Sequence, residues 1–117
     1  MVNSEGALRV QGNVLPSQYE GNREIREVYV ADGNVGKMAF KNCGKLREVV
    51  LENTAEIGEE AFACCGKLRI VKIGGNCVKV GEKAFSGCSK LEIVAFPRSL
   101  KSIPSSAVPK QARIIVQ

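Results

Sequence analysis

The 117-residue chain repeats itself, and this limits its fold more than any other feature. Phe40, Phe62 and Phe85 are spaced by 22 and then 23 residues. Each is followed three residues later by Cys43, Cys65 or Cys88, and then by Leu46, Leu68 or Leu91. Val49, Val71 and Val94 come next, with Leu51, Ile73 and Phe96 two positions beyond. An alanine directly precedes each Phe, and five residues back Val35, Ile57 or Val80 is followed by Gly36, Gly58 or Gly81. Eight columns matched in three copies mark an internal repeat. Periods of roughly 20–50 residues belong to stacked architectures, so this outweighs any local pattern. Weaker copies flank the three: Tyr19, Asn22, Ile25, Val28 and Val30 upstream with Val14, and Ile103, Val108 and Ile114 downstream. The spacing divides a single domain, 1–117, into a cap or partial repeat over 1–13, repeats over 14–34, 35–56, 57–79 and 80–102, and a partial repeat over 103–117.

In a strand such as Leu46–Leu51, side chains alternate between faces. Val49 and Leu51 therefore share an interior face, and Leu46 turns inward at the entry bend. Leu8–Val10 and Ala112–Val116 read as terminal strands. The segment Glu56–Cys65 is rich in helix-compatible residues and predicts a short helical turn carrying Ala61 and Phe62 inward. The fold class expected is an α/β solenoid: a curved parallel β-sheet with short helical returns. One copy cannot bury its apolar face alone, but copies stacked at roughly 4.8 Å build a continuous core. The column Tyr19, Phe40, Phe62, Phe85 and Val108 should dominate stability. Each buried Phe is worth about 1.5–3 kcal/mol.

The stretches IGEEAFACCGKLRIVKI (Ile57–Ile73) and VGEKAFSGCSKLEIVAFP (Val80–Pro97) resemble the BspA-type branch of leucine-rich-repeat proteins, known from bacterial surfaces and certain parasitic protists. The resemblance extends over Val14–Val116. It implies a right-handed leucine-rich-repeat stack that binds proteins or host ligands, often in adhesion, at a cell surface or secreted. The start MVNSEGALRV carries no secretory signal as written, which leaves the compartment open.

Composition removes chemistry. The chain has no histidine, which excludes Ser-His-Asp and Cys-His nucleophilic sites, His-ligated zinc and imidazole acid–base work. Gly74–Asn76 is a loop after a strand and lacks the GxxxxGK[ST] context of a phosphate cradle. Glu59, Glu60 and Glu82 lie on the returns and are most simply solvated. No N-x-[ST] sequon occurs. The expectation is a non-enzyme with no cofactor and no metal. The five cysteines follow the repeat. Cys43, Cys65 and Cys88 share a turn position with Asn22, and the resemblance implies a structural Asn or Cys there. Their equivalents lie within disulfide distance, but an odd total and the absence of CxxC argue against a full disulfide set. Cys64 and Cys77 fall off the ladder, and Cys64 is the better candidate for an exposed thiol.

A partner should meet the outward strand residues: Glu27 and Tyr29, Glu48 and Val50, Ile70 and Lys72, Ile93 and Ala95. Six of these form the expected partner-binding set: Tyr29, Val50, Ile70, Lys72, Ile93 and Ala95. Val116 is read as extending the patch. Two explanations of the apolar members stand side by side: β-branched residues favour strands, and contiguous exposed apolar surface marks binding. Beside the strands, Lys45, Lys67 and Lys90 form one cationic column and Arg26, Arg47 and Arg69 another. These six are candidate anion-binding residues, and the net charge of +5 steers acidic partners. Glu24, Glu27, Glu48 and Glu92 interrupt the columns, and only Tyr29 offers the aromatic interleaving of a nucleic-acid groove. The leading expectation is a protein ligand on the strand face. Its alternatives are a polyanion or nucleic acid on the cationic columns, a structural segment of a longer array, and a homo-oligomer through open solenoid ends. No membrane span is expected, because no apolar run is long enough.

Overall fold

The computed structural model describes residues 2–117. The chain winds through successive coils, and each coil lays one strand beside the last. The strands are β1 (Ala7–Val10), β2 (Glu27–Asp32), β3 (Glu48–Asn53), β4 (Glu56–Ile57), β5 (Ile70–Ile73), β6 (Lys79–Val80), β7 (Ile93–Phe96) and β8 (Arg113–Val116). Six of them form one parallel sheet in the order β1-β2-β3-β5-β7-β8. Strands β4 and β6 pair separately, Glu56 with Lys79 and Ile57 with Val80. Bridges from Val14 to Val35 and from Val35 to Ile57 carry that second ladder toward the N-terminal end.

The register converts the sequence columns into rows. Leu8, Val28, Val49, Val71, Val94 and Ile114 form one interior row. Val10, Val30, Leu51 and Ile73 begin the other, which Phe96 and Val116 continue. The strand placed at Leu46–Leu51 begins two residues later, at Glu48, because Leu46 is still inside the turn: its N–H donates to the Cys43 carbonyl at 3.2 Å. Leu46 nevertheless points inward and is fully buried.

The returns differ from the expected helical turns: the described residues contain no helix. The hydrogen bonds explain why. In the return after Gly36, the N–H groups of Ala39, Lys41 and Cys43 reach back three residues, to Gly36, Met38 and Phe40. The groups between them, on Met38, Phe40 and Asn42, donate to Glu59, Ala61 and Ala63 of the next coil, at 2.7–3.0 Å. An α-helix needs every N–H for its own i−4 carbonyl. Here alternate donors are committed across coils. A left-handed residue recurs every four positions: Met38 and Asn42 (φ 56° and 61°), Glu60 and Cys64 (54° and 62°), then Lys83 and Gly87 (58° and 78°). That conformation costs a non-glycine residue about 1–2 kcal/mol, and the inter-coil bonds offset it.

The coils also approach each other closely at one glycine column. A Cβ on Gly58 would sit 2.6 Å from the Lys37 nitrogen, and one on Gly81 2.5 Å from the Glu59 nitrogen. Any side chain there would push two coils apart. On the far side of the core, the rings of Tyr19, Phe40, Phe62 and Phe85 stack with centroids 5.2–5.4 Å apart and planes within 9°. Val108 ends this column half-buried, since no ring follows Phe85.

The cysteine ladder is structural. The thiols of Cys43, Cys65 and Cys88 donate to the carbonyls of Tyr19, Phe40 and Phe62 at 3.1–3.3 Å. Asn22 performs the related task with its side-chain oxygen, accepting the N–H groups of Glu24 and Ile25. Hydrogen bonding with the Cys43 and Cys88 thiols, reinforced by burial, pushes the Cys65 thiol far above its ordinary value. Burial also raises Cys77. Such thiols are poor nucleophiles. All five cysteines are free, and Cys64 is exposed as expected.

Candidate interaction face

The outer face of the six-stranded sheet carries two rows of side chains. Arg9, Tyr29, Val50, Lys72 and Ala95 run along one, ending at Ile115. Ala7, Glu27, Glu48, Ile70 and Ile93 run along the other, ending at Arg113. All six expected partner-binding residues lie on this face. Lys72 is exposed, and Tyr29, Val50, Ile70 and Ile93 are half-buried by their row neighbours. Ala95, at 9% exposure, is buried and offers only a flat spot between Lys72 and Ile115. Val116 does not extend the patch. It pairs with Phe96 on the interior row, so the outward residue of β8 is Ile115, 40% exposed.

The apolar members make a diagonal. Tyr29 and Val50 occupy the first row at the N-terminal half, and Ile70 and Ile93 the second row toward the C-terminal half. Ile115 lies beyond them. Charged groups surround the strip: Arg9, Glu27, Glu48, Lys72 and Arg113.

Three residues that sequence reasoning did not select shape this face. The Arg9 guanidinium lies 5.3 Å from the Tyr29 ring centroid, within cation–π range. The Tyr29 hydroxyl donates to Glu52, whose carboxylate raises the Tyr29 pKa above its ordinary value. Arg9 and Glu52 thus hold the tyrosine ring from both ends. The third is Ile115. Strand alternation applied to Leu8–Val10 would have found Arg9, whereas Glu52 depends on a side-chain reach that no spacing encodes. A cleft of about 260 Å³ opens here between Arg9, Glu27, Tyr29, Glu48 and Val50.

The six candidate anion-binding residues separate into groups. Arg26, Lys45, Arg47 and Lys67 line one cleft of about 240 Å³. Arg69 turns away to Glu92, with Nε and Oε2 2.8 Å apart. That pairing raises the Arg69 pKa and lowers that of Glu92. Lys90 borders a different cleft with Glu92, Gln111 and Arg113. The two cationic columns are therefore not one continuous stripe.

The repeats read along the sequence match a known family. The BspA type Leucine rich repeat region matches residues 19–114 in six copies. The chain belongs to this family. Among solved structures, the repeat protein is similar to a leucine rich cell surface protein from Faecalibacterium prausnitzii A2-165, with a TM-score of 0.82 at 24% identity. That likeness covers 95% of this chain and 32% of the other, so the repeat protein spans about a third of its neighbour's length. No curated protein matches it. Among the described residues, no helix is long and apolar enough to cross a membrane.

Proposed function

We propose that the chain is a non-enzymatic protein-binding module that uses the outer face of its six-stranded sheet. The observation that carries this is the diagonal of Tyr29, Val50, Ile70, Ile93 and Ile115 on an uncovered sheet face, rimmed by charges. An apolar centre with a polar rim is the usual anatomy of a protein interface. Tyr29, held between Arg9 and Glu52, is pre-ordered and loses little conformational freedom on binding. The finer form of the proposal is an adhesive or host-interacting role at a cell surface. Membership of the family and the fold shared with a leucine rich cell surface protein support it.

The test is capture of a partner by the native protein beside the Ile70→Glu/Ile93→Glu variant, at low and high salt. A partner retained at high salt and lost by a folded variant supports the strand face. Binding that ignores the substitutions and elutes with salt moves the function to the cations.

A second reading, self-association, rests on a separate observation. Strand β8 is the sheet edge, and its interior-row residues Ile114 and Val116 are 47% and 65% exposed. An antiparallel pair of β8 strands about a twofold axis through Ile115 would set Ile114 against Val116 of a second copy. Sedimentation at high concentration distinguishes this dimer from a monomer, and a strict monomer removes the reading.

A further inference from the structure

We infer that the cleft formed by Arg26, Lys45, Arg47 and Lys67 is a binding site for a phosphate monoester group. Four cations converge there, and none of them forms an ion pair among the described residues, whose ion pairs are Lys37–Glu59, Lys41–Glu60 and Arg69–Glu92. Gathering like charges without a counter-ion is unfavourable unless something else supplies the negative charge.

The arrangement follows from the stack. The Arg47 N–H donates to the Arg26 carbonyl at 2.8 Å, so the two guanidinium-bearing residues sit on adjacent coils, roughly one strand spacing apart. Lys45 and Lys67 occupy equivalent positions two residues before Arg47 and Arg69 on their own coils. The stem of Arg26 is packed against Gly6: a Cβ on that glycine would lie 2.8 Å from the Arg26 Cγ. The first cation is thus fixed by the N-terminal turn.

Both ends of the cationic patch are closed by acids. On one side Glu5 and Glu24, with Arg23, line the adjoining cleft that shares Arg26 and Lys45. On the other, Glu92 holds Arg69. Glu48 follows Arg47 but belongs to the outer sheet face. The patch spans about two coil spacings, on the order of 10 Å. That suits one compact, highly charged group better than an extended polyanion. A phosphate monoester carries about −1.5 to −2 at pH 7 and three acceptor oxygens, which two guanidinium forks can engage bidentately. A nucleic-acid phosphodiester carries a single charge and brings bases that need stacking partners, and no aromatic residue lines the cleft.

The absence of histidine supplies a clean test. Carboxylates, lysines and arginines as side-chain types ionise outside the range of about pH 5.5 to 7.5, whereas a phosphate monoester gains its second charge near a pKa of about 6. Amide NMR titrations would compare glucose 6-phosphate, glucose 6-sulfate and a short oligodeoxythymidylate. Saturable shifts centred on residues 26, 45, 47 and 67 are expected with glucose 6-phosphate, with affinity rising about fourfold from pH 5.5 to 7.5. The sulfate ester should bind more weakly and show no such rise. Arg47→Gln should weaken phosphate binding by about tenfold or more, whereas Arg69→Gln, already committed to Glu92, should change it less than about twofold. Equal, pH-independent binding of the two esters would overturn the proposal, as would equal losses from the two variants. An oligonucleotide that binds more tightly and also depends on Arg69 and Lys90 would replace it with an extended polyanion track. Because the cleft lies beside the sheet face, either result leaves the strand-face reading standing.

Discussion

The two ends of the stack have the same columns and different fates. Leu8 on β1 and Ile114 on β8 occupy one interior row, yet Leu8 is fully buried and Ile114 is 47% exposed. The N-terminal end is folded over by its own chain. Val2 bridges Leu8 in antiparallel fashion, and the Asn3 side chain accepts the N–H groups of Glu5 and Ala7. At the C-terminal end all four residues of β8 are exposed. A column thus determines which way a side chain points, and only a neighbouring coil determines whether it is covered. In a quasi-one-dimensional fold those are separate questions.

The sharpest way to break this comparison is truncation at both ends. Leu8→Ala should cost about 2–5 kcal/mol, the range for a fully buried leucine. Ile114→Ala should cost under about 1 kcal/mol, because its side chain already meets solvent. Urea unfolding measures both. Equal losses would show that β8 is covered in solution, as the twofold dimer requires, and dilution would then restore the difference. Asn3→Ala probes what closes the first end. Losing the two bonds to its side chain should cost about 1 kcal/mol, with faster amide exchange confined to β1. Exchange that speeds up equally in β8 would mean that the ends are coupled.

The smallest effect belongs to the middle of the stack, where acid should act without altering either end. Lys41 and Glu60 pair at 2.8 Å across adjacent coils. The hydrogen bond to Lys41 lowers the Glu60 pKa, and the same bond raises that of Lys41. Between the lowered folded value and the unfolded value near 4.3 the unfolded chain binds more protons, so stability rises with pH. The contribution is therefore present above about pH 4.3 and lost as pH falls through the folded value. On the alkaline side the lysine contribution is present below about pH 10.4 and lost as pH rises through its raised folded value. Glu60→Gln should flatten both limbs in a series of urea midpoints against pH, and unchanged limbs would remove the pair from the stability balance.

The parts of the fold legible in the sequence are those where residue type and direction coincide. Val28, Val49, Val71 and Val94 announce an interior row, whereas Gly58 and Gly81 mark a repeat column whose close approach only the stacked coils reveal. The returns were not legible, because Met38, Glu60 and Lys83 are ordinary helix formers that here adopt left-handed backbone. Their conformation is imposed by hydrogen bonds to another coil, which no local propensity records. The two-residue strands β4 and β6 were hidden for the same reason. On the sheet face, alternation located Tyr29, Val50, Ile70, Lys72, Ile93 and Ala95, while at the C-terminal end a one-residue slip chose Val116 over Ile115. In period-two structure such a slip exchanges the faces. The division of the cations was out of reach, since it turns on Arg69 choosing Glu92.

The strands contact only their immediate neighbours in the sheet. That has a mechanical consequence. Pulled from its two termini, such a molecule should unwind like a coil spring, one turn detaching before the next is loaded. Each detached turn of 22 or 23 residues would release about 70 Å of extended chain. The trace of force against extension would then be a row of evenly spaced teeth, beginning at the C-terminal turn whose hydrophobic side is already bare.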